Sequence, residues 1–194
     1  MLRPLLAALQ PRQWLPWLAL LLGLPGVASA QALVNGGSVT GALVTSGGAD
    51  TWTFSANAGD SYVLRAAAPN PSAIQPSMTV TAPGGEVVGS DVGTVVAAVS
   101  GVAASGGTYV VTLSDGASTP QTGAYTIYLV RVPGANEGGA LPNGDSVQSS
   151  LEVGDLDSYT FQLNAGDSYL LRSSELAGAT FFSTLNVYGP DGAL

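Results

Sequence analysis

The chain has 194 residues, of which 9% are charged: 13 are acidic, five are Arg, and Lys, His and Cys do not occur. With so few cations it cannot release counterions from a nucleic-acid backbone or grip an anionic leaflet, so no nucleic acid is expected as a partner, and no membrane once a leader is removed. No His, Cys or Lys is present to activate a Ser or Thr nucleophile or to build a His-based zinc site, and the chain reads as not an enzyme.

Residues 1–30 have the pattern of a signal peptide: Arg3 and Arg12, an apolar core over Leu15 to Val27 broken by Pro16 and Pro25, then Ala28-Ser29-Ala30. Small residues at these last positions suit cleavage after Ala30, with Ala30-Gln31-Ala32 as a second register. A spanning helix needs about 20 apolar residues without such breaks. Secretion to the extracellular space or cell surface is therefore expected, with the periplasm as the other address. Without Cys, an exported fold must rest on its packed core or a bound ion.

Short apolar runs with period-two alternation follow, punctuated by many of the 26 Gly and 12 Pro. They predict strands at Ser38–Val44, Ser77–Ala82, Glu86–Gly89, Thr94–Ser100, Thr108–Ser114 and Ala124–Arg131. Two more flank the stretch Asn57-Ala58-Gly59: Trp52 and Phe54 alternate with Thr and Ser before it, and Tyr62 and Leu64 alternate after it. Parity puts Phe54 and Tyr62 on one face. A three-residue hairpin loop, a type I turn with Gly59 left-handed, satisfies that parity and predicts the cross-strand pairs Phe54–Tyr62 and Trp52–Leu64. Trp52 is expected in the core. Tyr128 has the opposite parity from Tyr125 and Ile127 and is expected to be exposed, and Arg65 is expected on the polar side. Eight short strands at this spacing make an all-β, antiparallel β-sandwich, jelly-roll-like.

The chain then repeats itself. "NAGDSY" occurs at Asn57–Tyr62 and again at Asn164–Tyr169; "DTWTFSANAGDSYVLR" matches "DSYTFQLNAGDSYLLR", "MTVTAPGG" matches "LNVYGPDG", and "LVNGGSVTGAL" matches "LPNGDSVQSSL". The organisation expected is a signal peptide (1–30), a first β-sandwich repeat (32–132), a linker (133–140) and a second, truncated repeat (141–194). Leu194 aligns with Val87, so the second copy lacks the counterparts of Val88 to Val132. A fragment of about 55 residues without its closing strands is too small to bury a core. Either the sequence is a piece of a longer protein, or a partner supplies the strands by edge addition. Phe161 is expected to pair with Tyr169, and Tyr159 with Leu171.

Calcium is the one cofactor the residues leave open. Asp155 and Asp157 form a D-x-D in a Gly-containing loop, with Glu152 close by, and hard cations take several oxygens on an adaptable loop. The aligned first loop keeps only Asp50, with Gly48 in place of Asp155. The competing reading is an exposed acidic turn, and the same choice holds for Asp60 and Asp167 beside the repeated turn.

The pattern "LPNGDSVQSSLEVGDLDSYTFQLNAGDSYLLR" followed by "STLNVYGPDG" resembles the bacterial pre-peptidase C-terminal domain family. The resemblance implies a non-catalytic β-sandwich appended to secreted proteins, often peptidases; related collagen-binding modules bind calcium. The expected function is a spacer, adhesion or substrate-presenting module of a larger extracellular bacterial protein. The alternatives are a calcium-assisted binding module for extracellular protein or polysaccharide, and the accessory domain of a secreted hydrolase. The remainder of its own longer chain is a further expected partner.

Overall fold

The computed structural model describes residues 30–68, 74–176, 178 and 182–194. The leader falls outside these residues, apart from Ala30. Nine strands follow: β1 Gln31–Ala32, β2 Gly37–Leu43, β3 Ala49–Ala56, β4 Ser61–Ala67, β5 Pro76–Thr81, β6 Val87–Val92, β7 Val96–Val102, β8 Gly107–Asp115 and β9 Gly123–Val132. They form two sheets, in the orders β1-β3-β8-β5-β6 and β2-β9-β4-β7. Apart from the two-residue β1, which runs parallel to β3, every pairing is antiparallel. Strands β2–β9 thus make a jelly-roll β-sandwich, the expected fold class.

Strands β3, β4, β5 and β8 alternate as half-buried strands should, whereas β9 is buried on both faces from Ile127 to Val130. Trp52 and Phe54 on β3, Tyr62 and Leu64 on β4, Met78 and Val80 on β5, Tyr109, Val111 and Leu113 on β8, and Tyr125, Ile127 and Leu129 on β9 all point into one core. At its centre the rings of Phe54, Tyr62 and Tyr109 meet, with centroids 5.1–5.9 Å apart. Offset and tilted aromatic contacts of this kind add about 0.5–1.5 kcal/mol each beyond the area they bury.

The expected hairpin around Asn57-Ala58-Gly59 is not there. β3 and β4 lie in different sheets and share no ladder. β3 pairs instead with β8, placing Phe54 opposite Tyr109; β4 pairs with β7 and β9, placing Leu64 opposite Val99 and Leu129. The turn is an arch that carries the chain across the sandwich, and Phe54 and Tyr62 touch through the core rather than along a sheet. Parity could not separate the two cases, because both put the rings on the inner side.

In the second copy, the described residues of 141–194 form no strand; a single bridge joins Thr160 to Ala140. Its local turn is nevertheless the same. Gly59 and Gly166 both have φ +92°, and Phe161 meets Tyr169 at 5.6 Å as Phe54 meets Tyr62 at 5.3 Å. This segment lies partly against the first unit, where Ser61 Oγ donates to the Gly192 carbonyl.

Candidate functional site

The repeated turn is where polar side chains converge. It closes when Asp60 N–H donates to the Asn57 carbonyl at 3.1 Å, with Gly59 third of four, the position where a positive φ is required of a type II turn. The Asp60 carboxylate is buried and accepts from Asn57 N–H at 2.8 Å, from Asn57 Nδ2 at 3.4 Å and from Arg131 Nη1 at 2.5 Å. Burial opposes its ionisation, but the Asn57 hydrogen bond and the Arg131 guanidinium together outweigh it and hold the carboxyl below its ordinary range.

Arg131 has a second fixture. The Asn35 side chain accepts from Arg131 N–H at 2.6 Å and donates to its carbonyl at 2.9 Å. A primary amide thereby extends the ladder at the end of β9. Asn35 and Asp60, from two separate turns, both grip one residue of one strand. Sequence reasoning missed this pair of contacts. The available signal was that "N-G" recurs at Asn35 and Asn143 just as "A-G-D" recurs at Asp60 and Asp167.

Inside the core, Trp52 Nε1 donates to Tyr125 Oη at 2.9 Å, and Tyr125 Oη donates to Asp50 Oδ2 at 2.6 Å. Trp52 is a core residue, as expected. Burial and the adjacent Asp50 carboxylate push the Tyr125 phenol far above its usual value, so it stays a neutral donor.

Tyr128 and Arg65 are cross-strand partners on the outer face of the second sheet. The expectation that Tyr128 is exposed is wrong: it is buried, and the loop of the second copy covers it, with Gly154 packed near its ring and Ala67. Arg65 is half-buried rather than merely solvated, and its Nη1 donates to the Asp155 carbonyl at 3.2 Å.

That loop contains the calcium candidates. Asp155 spends its carboxylate on Leu156 N–H at 2.8 Å and Glu152 N–H at 3.4 Å, a turn-capping arrangement, while Asp157 accepts from Tyr159 Oη at 3.3 Å. Glu152 is exposed. Among the described residues no group of three or more carboxylates comes together in a way that could hold a metal ion. The loop does crowd negative charge: partial burial, then Asp155 and Asp157, raise the Glu137 carboxyl above its ordinary value. Asp167, like Asp60, caps its own turn, accepting from Asn164 N–H at 2.8 Å.

No family model matches the chain, and no curated protein matches it. Solved structures similar in part include two, each a likeness only. One is the pre-peptidase C-terminal domain of a collagenase from Bacillus anthracis, 12% identical, with a TM-score of 0.44 over 52% of this chain and 93% of that one. The other is PliG of Aeromonas hydrophila, a periplasmic inhibitor of g-type lysozyme, 13% identical, with a TM-score of 0.42 over 53% of this chain and 95% of that one. At these identities neither likeness transfers a role.

Proposed function

We infer that the chain is an exported, non-catalytic β-sandwich module that serves as a spacer, adhesion or substrate-presenting domain in a larger extracellular bacterial protein. The observation that carries this reading is that its polar side chains are spent on the fold. Asn35, Asp60 and Arg131 hold two turns to a strand, while Asp50, Tyr125 and Trp52 form a closed relay. Among the described residues, every buried side-chain nitrogen or oxygen has a hydrogen-bond partner. Catalytic centres instead keep polar groups poised and incompletely satisfied for a substrate. The leader pattern supports export, and the repeat motifs support the resemblance to pre-peptidase C-terminal domains.

The crowded carboxylates at Glu137, Asp155 and Asp157 favour a second reading, calcium-assisted binding to an extracellular polymer. Thermal melting with and without millimolar calcium separates the two. The spacer reading predicts an unchanged Tm; a calcium-dependent rise that Asp155→Asn abolishes would replace it with the binding reading.

A further inference from the structure

The dipeptide Asn-Gly occurs twice, at Asn35-Gly36 and Asn143-Gly144, in turns of one design. Gly37 N–H donates to the Val34 carbonyl at 3.2 Å with Gly36 at φ +73°; Asp145 N–H donates to the Pro142 carbonyl at 3.2 Å with Gly144 at φ +79°. Asparagine before glycine is chemically labile, because glycine carries no Cβ to keep its peptide nitrogen away from the preceding side-chain amide.

The first of these pairs is fastened to the end of β9. Gly36 N–H donates to the Leu129 carbonyl at 2.9 Å. Asn35 Oδ1 accepts from Arg131 N–H at 2.6 Å, and its Nδ2 donates to the Arg131 carbonyl at 2.9 Å. The nitrogen that would attack is thus engaged on one residue of β9, and both ends of the amide it would attack are engaged on another. Neither can approach the other while β9 is in place.

We propose that Asn35 is a latent deamidation site which β9 shields, and that its reaction is a one-way step for the first unit. When the end of β9 comes away, Gly36 N attacks Asn35 Cγ. The new N–Cγ bond closes a succinimide ring, the Cγ–Nδ2 bond breaks, and ammonia leaves with the proton that Gly36 gave up. Water then opens the ring at either carbonyl and gives aspartate or isoaspartate, with no change of oxidation state. Aspartate at this position cannot rebuild the fixture. Its second oxygen is an acceptor and faces the Arg131 carbonyl, another acceptor, where Nδ2 had donated. The Arg131 guanidinium offers no remedy, since it already pairs with Asp60. Isoaspartate adds a methylene to the main chain of the turn and moves the whole contact. A unit that stays open long enough to react therefore closes less well afterwards.

The test ages the full chain at mildly alkaline pH, with and without concentrated urea, and follows ammonia loss at each asparagine by peptide mass mapping. In urea both Asn-Gly pairs should react, with Asn143 as the internal reference; without urea, Asn35 should react at least about tenfold more slowly than in urea. Asn35→Asp is then unfolded with denaturant and read by Trp52 fluorescence, with a loss of at least about tenfold in the folded-to-unfolded ratio expected. Should that variant not fold, chain aged in urea is refolded instead and its folded and unfolded fractions are mapped; product at residue 35 should be depleted from the folded fraction. The shield is overturned if Asn35 reacts as fast in the native chain as in urea, or stays intact in urea while Asn143 reacts. The one-way step is overturned if Asn35→Asp unfolds at an unchanged midpoint, or if chain carrying the product at residue 35 refolds as readily as intact chain.

Discussion

Asp60 has the appearance of a ligand in the sequence and acts as a structural fastener in the fold. Its carboxylate is buried, capped by Asn57 and paired with Arg131. Its folded pKa is lowered, so by linkage its stabilisation is complete above the ordinary aspartate value and is lost as pH falls through the folded value. Asp115 has the same sign: burial opposes its ionisation, and the N–H groups of Gln75, Gln121 and Ala117 more than compensate. Stability of the first unit should therefore fall on acidification below about pH 4. Trp52, the one tryptophan after residue 30, is buried in that unit and reports its unfolding. Denaturant midpoints followed by Trp52 fluorescence from pH 7 to pH 2 should show a shallower acid slope for Asp60→Asn, with the remaining slope belonging largely to Asp115. An unchanged slope would mean that Asp60 is not ionised in a fixed pair.

At the scale of strands, β2 and β9 approach through a glycine. Gly41 lies opposite Tyr125, and a Cβ there would stand 2.5 Å from Tyr125 Cζ and Oη. The ring lies over the glycine and hands its hydroxyl to Asp50 and Trp52. Gly41→Ala must displace that ring, at a cost of about 1–3 kcal/mol for overpacking, and Trp52 emission should shift to the red as its indole N–H loses its partner. An unshifted spectrum would show that the relay does not depend on this contact. The strands themselves were legible in the sequence because alternation at Trp52, Phe54, Tyr62 and Leu64, and at Tyr125, Ile127 and Leu129, reports one buried face. Pairing was not legible. Alternation says which side of a strand is wet, not which neighbour shares its ladder, so an arch and a hairpin through Asn57-Ala58-Gly59 read alike. Tyr128 failed for a related reason: its parity correctly put it on the outer face, and a distant loop around Gly154 covers that face. The roles of Asn35 and Arg131 depend on a contact across 96 residues that no local pattern encodes.

At the scale of the molecule, the jelly-roll order makes the fold cooperative. Each of the early strands β2, β3, β4 and β5 lies beside a late strand, β8 or β9, and none lies beside another early one. That account stands on the arch: β3 must belong to one sheet and β4 to the other. The chain has no Cys, so paired cysteines test the connection without competing thiols. Thr53 is the register partner of Val110 on β8, whereas a hairpin would set Thr53 opposite Val63 on β4. Sheets stack about 10 Å apart, and a disulfide needs Cα atoms within roughly 7 Å. The measurement is disulfide formation under mild oxidation in two double variants of the folded chain. Thr53→Cys with Val110→Cys should lock, and Thr53→Cys with Val63→Cys should keep both thiols free; the reverse outcome would contradict the jelly roll.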